Sequence, residues 1–95
     1  MTRLQFLLTK LAEESTEVAQ MALKSQQFGL DETRVGQDLT NKERLHGELQ
    51  DLSGIVKMLN DEFGFGFSPD KEKIEAKRVK VNKYAEYSKK LGMIE

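Results

Sequence analysis

Apolar residues return every third or fourth position along three stretches of this chain, and no stretch alternates apolar with polar long enough to make a strand. That period restricts the fold to helices packed on helices. The first stretch runs from Arg3 to Phe28, with Leu4, Leu7, Leu8, Leu11, Val18 and Ala22 along one stripe. Thr2 with Gln5 reads as a capping box at its start, and Gly29 as its stop. The second runs from Asn41 to Phe63, with Leu45, Leu49, Leu52, Val56, Leu59 and Phe63 as the stripe. Thr40, three residues before Glu43, opens it and Gly64 closes it. The third is expected to be capped by Ser68, to carry Pro69 in its first turn, and to continue to about Lys90. Its apolar content is thin: Ile74, Val81, Tyr84, Ala85 and Tyr87. The reading is all-α, a helical hairpin plus a third helix, forming one domain over residues 1–95.

A chain of 95 residues buries a modest core at best, so its stripes are expected to be completed by assembly into a helical bundle, as a homodimer or homotetramer. There is no cysteine, hence no disulfide framework and no thiolate zinc site. Lys+Arg 15 against Asp+Glu 16 excludes a generally basic nucleic-acid binder. Lysines do crowd the third segment, but Glu72, Glu75 and Glu86 interleave them, which reads as a solvated face. Uninterrupted apolar runs reach only three residues, too short for a membrane span, and MTRLQFLLTKLAEE reads as a helix and not as a signal peptide. The expected location is the cytoplasm. The connector from Leu30 to Leu39 is longer than a tight helix hairpin needs. In Gly64-Phe65-Gly66-Phe67-Ser68 the phenylalanines are expected to plug the core, in preference to forming a mobile aromatic lip.

The informative feature is where the acids fall. At about 100° per residue, Glu14 projects between Leu7 and Met21, inside the first stripe. Glu17 lies on the border of that stripe, and Glu13 points further out. On the second helix Glu48 projects between Ile55 and Leu59, with Asp51 at the edge of the same face. An ionised carboxylate directed at a buried face costs several kcal/mol, and like charges nearby add repulsion. Converging pairs on two helices therefore call for protons, basic partners or a metal cation, unless they are ordinary acids that snorkel to solvent. An all-oxygen donor set with a single His suits magnesium, or manganese, over zinc or copper.

Glu13-Glu14-Ser15-Thr16-Glu17 followed by Glu48-Leu49-Gln50-Asp51 resembles the EExxE…ExxD signature of the MazG-like all-α nucleoside triphosphate pyrophosphatases, a superfamily that includes dimeric dUTPases and phosphoribosyl-ATP pyrophosphohydrolase. The likeness covers roughly Leu8 to Lys80, and the surrounding sequence looks like the compact single-domain members. It implies Mg²⁺-dependent hydrolysis of a dNTP or NTP to the monophosphate and pyrophosphate. By the same resemblance Glu14, Glu17, Glu48 and Asp51 are metal ligands, and Glu13 supports them or helps polarise the attacking water. Many relatives place a lysine and, four residues on, an asparagine in the helix after the second motif. Here Lys77 is followed at that distance by Val81, with Asn82 adjacent.

Lys77 borders the apolar face of the third helix and Lys80 sits near Tyr87, so both are candidates for binding substrate phosphates, with solvated, snorkelling lysines as the alternative. His46 projects away from its stripe and reads as exposed. Arg34 and Lys42 flank the connector and are candidates to meet phosphates in an assembly, or plain surface charge. A second function class also fits: a non-catalytic helical interaction or regulatory module that retains the acidic cluster.

Overall fold

The computed structural model describes residues 1–95 and is all-α: α1 spans Arg3–Phe28, α2 spans Asn41–Phe63 and α3 spans Lys71–Lys90. No helix is long and apolar enough to cross a membrane. Local chemistry sets the helix ends. Thr2 Oγ1 accepts from the Gln5 amide at 3.1 Å, and the Gln5 side chain accepts from the Thr2 amide at 2.8 Å, closing the first capping box. Thr40 and Glu43 repeat it on α2, at 3.2 Å and 3.1 Å. Gly64 ends α2 in the left-handed region at φ 60°, where a side chain would be strained.

The start of α3 differs from expectation. Asp70, not Ser68, is its cap, accepting from the Lys73 amide at 3.0 Å, so Pro69 lies outside the helix. Asp and Ser cap about equally well, and the carboxylate at position 70 also favours the helix dipole.

Helices α1 and α2 form an antiparallel hairpin. Arg3 pairs with Glu62 at 3.1 Å at one end, and Asn41 Nδ2 donates to the Gly29 carbonyl at 2.8 Å at the other. Along α1 the inward line is Leu7, Leu11, Glu14, Val18, Met21 and Ser25; along α2 it is Asn41, Leu45, Glu48, Leu52, Ile55 and Leu59. Each line advances in alternating steps of four and three, the spacing of a two-helix seam. Within it Leu7, Met21 and Leu59 are buried, whereas Leu4, Leu8 and Ala22 of the expected α1 stripe face outward. The hairpin thus buries a narrower line than the expected stripe.

The connector folds back on itself through a single antiparallel bridge between Thr33 and Thr40. The Asn41 amide donates to the Glu32 carbonyl and the Lys42 amide to that of Leu30, at 3.0 and 2.9 Å. Past α2, the Asn60 side chain clamps Phe67, donating to its carbonyl at 2.8 Å and accepting from its amide at 2.9 Å. This clamp fixes the backbone but leaves Phe65 and Phe67 more than half exposed, so they do not plug a core.

No Cα of α3 comes within 8 Å of α1 or α2. Ile74, Val81, Tyr84 and Tyr87 are each more than half exposed as a result. The radius of gyration, 16.9 Å, exceeds the roughly 12 Å of a compact domain of this length. A single chain thus leaves most of its apolar surface uncovered.

The α2 cap supplies a test of local energetics. Thr40→Ala removes the hydroxyl acceptor and should lower stability by about 1 kcal/mol, with Thr40→Ser restoring it. Chemical denaturation of the three proteins checks this, and an unchanged midpoint for Thr40→Ala would contradict it.

Candidate metal centre

The seam carries Glu14 from α1 and Glu48 from α2 to one level of the hairpin, both half-buried. Glu17, one turn beyond Glu14, reaches back to them from the exposed edge. One carboxylate oxygen from each of the three lies within 4.8 Å of the others. Oxygens this near could share a cation by drawing slightly closer, and at this spacing unscreened carboxylates repel.

The electrostatics follow from that crowding. Burial pushes the Glu14 carboxyl above its ordinary range, and a hydrogen bond to Glu17 and the charges of Glu17, Asp51 and Glu48 push it further. Glu48 is raised for the same reasons, burial first, then its hydrogen bond to Glu17 and the charges of Glu17 and Asp51, opposed by Arg44 one turn earlier on α2. Oε2 of Glu14 and Oε2 of Glu48 are shielded from solvent and have no hydrogen-bond partner. A shielded acceptor without a donor is costly, and a hard cation or a proton relieves it.

The other candidate residues are placed differently. Asp51 is exposed and acts on Glu14 and Glu48 through its charge, without an oxygen among the three that converge. Glu13 turns away to pair with Lys10 at 3.0 Å. His46 is exposed. Lys77 lines a separate cleft with Phe67, Asp70 and Lys73, and no ion pair joins Lys77 or Lys80 to the acids. Within one chain, α3 therefore does not deliver its lysines to the carboxylates. None of the chain's clefts is lined by Glu14, Glu17 or Glu48, so the acids open onto an uncovered face.

Arg44 is the residue that pattern reading passed over. It stands four residues before Glu48, hence on the same helix face, and that spacing was the available signal.

A donor set of carboxylate oxygens alone suits Mg²⁺ or Mn²⁺. Glu14, Glu17 and Glu48 fit such an ion by the convergence of their oxygens, with Asp51 adding charge at the rim. A scan against protein-family models finds no match to this chain, and searches of curated proteins and of solved structures find none either.

Proposed function

We propose that this chain is a subunit of a Mg²⁺-dependent nucleoside triphosphate pyrophosphohydrolase. The observation that carries the reading is the convergence of Glu17 on Glu14 and Glu48 of the helical seam, where two shielded oxygens lack partners. The EExxE…ExxD pattern of residues 13–17 and 48–51 supports it as a resemblance.

In this reading Glu14, Glu17 and Glu48 hold the cation, with Asp51 as a further ligand or an electrostatic support. Mg²⁺ supplies neutralisation of phosphate charge and activation of water toward the α-phosphorus. Water forms a bond to that phosphorus as its bond to the bridging oxygen breaks, yielding nucleoside monophosphate and pyrophosphate. The proton released from water passes to a carboxylate, for which Glu13 is the candidate once it parts from Lys10. Lys77 and Lys80 contribute to phosphate binding only if α3 of one subunit reaches the acids of another. Homodimeric or homotetrameric assembly would also cover the apolar faces of α1 and α3, and a cytoplasmic location fits nucleotide substrates.

Incubation of the folded protein with each dNTP and NTP plus Mg²⁺ tests the reading. Pyrophosphate should accumulate with at least one nucleotide and stop on chelation. No release from any of them would overturn it. A non-catalytic helical module is the second reading, favoured by the distance of α3 from the acids. It expects cation binding without turnover.

A further inference from the structure

Where α1 ends and α2 begins, the connector walls off a cleft of about 430 Å³. Lys24, Arg34 and Arg44 line it against a single acid, Glu32. That acid is already engaged, its Oε1 accepting from Asn41 Nδ2 at 3.2 Å. The neighbouring Lys42 is paired with Asp31 at 3.8 Å. Lys24, Arg34 and Arg44 form no ion pair and donate no side-chain hydrogen bond. Three cations thus border one concave surface whose lining holds a single carboxylate.

Arg44 makes this more than a set of solvated charges. Its Nη1 is shielded from solvent and has no hydrogen-bond partner. No protein acceptor satisfies that donor, and the rest of the side chain borders the cleft. A guanidinium is a planar fork that matches two oxygens of one phosphoryl group, so its natural complement is an anion of that shape. The cleft volume lies within the roughly 300–1,000 Å³ typical of small-molecule sites, and Phe28 supplies an apolar wall. Both features exceed the needs of a lone inorganic ion.

We propose that this cleft is a phosphoryl-binding site, which takes the phosphate of a small phosphorylated molecule through Arg44, Arg34 and Lys24 and needs no divalent cation. Its lining excludes Glu14 and Glu48, although Arg44 stands one turn from Glu48 and acts on it through its charge. The inference does not depend on hydrolysis.

Isothermal titration of the full chain in EDTA tests it with three probes: inorganic phosphate, pyrophosphate and a nucleoside monophosphate. At least one should bind saturably. Arg44→Gln and Arg34→Gln should each weaken that binding at least tenfold, with helicity unchanged, whereas Lys57→Gln, which removes a cation outside the cleft, should leave it intact. Arg34 is an exposed connector residue, so its variant reports on binding even if Arg44→Gln disturbs the fold. Tighter binding of the nucleoside monophosphate assigns the site to a nucleoside-borne phosphate, and tighter binding of pyrophosphate to a free one. Absence of saturable binding, survival of binding in both arginine variants, or a requirement for Mg²⁺ would each overturn the proposal.

Discussion

Glu48→Ala is expected to lower Mg²⁺-dependent pyrophosphate release by at least about a hundredfold while leaving the helices intact. The magnitude follows from comparison: losing a residue that only supports a metal ligand costs about 10–100-fold, so losing a ligand costs no less. Retention of the fold follows from the geometry of the side chain. Glu48 Oε2 is shielded and unpartnered, so truncation removes a group that the hairpin accommodates at a cost. Asp51→Ala should also reduce turnover, by at least about tenfold, because its charge acts on both Glu14 and Glu48. Activity assays with circular dichroism on the same samples check both. Full activity in both variants would remove these acids from the site even if the protein proved to be a hydrolase.

The second large effect concerns stability against pH in the absence of metal. Glu14 and Glu48 have native pKa values raised above the ordinary 4.5, whereas the unfolded chain titrates near the ordinary value. Between those values the native state holds more protons than the unfolded state. The associated stability is therefore fully present below the ordinary carboxylate range and is lost as pH rises through the raised native values. The metal-free chain should weaken over that interval and stay weakened at neutral pH. Glu43 acts with the opposite sign: hydrogen bonds from the Thr40 amide and hydroxyl hold it low, so its contribution is lost as pH falls. The Glu14→Gln/Glu48→Gln double variant separates the two, because it should abolish the loss on raising pH and leave the Glu43 effect in place. A metal-free profile identical in the double variant would contradict the assigned cause. At the proposed site Mg²⁺ would replace the missing protons. At a hundred times its dissociation constant a ligand adds about 2.7 kcal/mol. For a domain of this size that is a rise on the order of 10 °C in Tm.

The parts of the fold that were legible in the sequence are those determined within a few residues. Thr2 with Gln5 and Thr40 with Glu43 mark helix starts because each motif satisfies its own orphan amides, whatever lies elsewhere. The inward projection of Glu14 and Glu48 was legible for a similar reason: helix geometry places a residue on a face before any partner is known. Errors arose where several local solutions compete. Ser68 and Asp70 are both sound caps, and only the chain path after the Asn60–Phe67 clamp selects Asp70. Hydrophobicity favours a core position for Phe65 and Phe67, but the clamp holds only the Phe67 backbone and both residues stay more than half exposed. The cleft beneath the connector was illegible because it joins Lys24, Arg34 and Arg44 from three separate segments. No periodicity within one segment encodes that meeting. The position of α3 belongs to the same class, since its thin apolar face leaves its packing to whatever surface it meets.

Whether the converging carboxylates form a cation site is tested most directly by the thermal midpoint of chelator-treated protein at neutral pH as Mg²⁺ is added to millimolar levels. The midpoint should rise and saturate, and the Glu14→Gln/Glu48→Gln variant should show no such rise. An unchanged midpoint in the unmodified chain, or an equal rise in both proteins, would mean that these acids are separate surface charges and that the metal centre proposed for them does not exist.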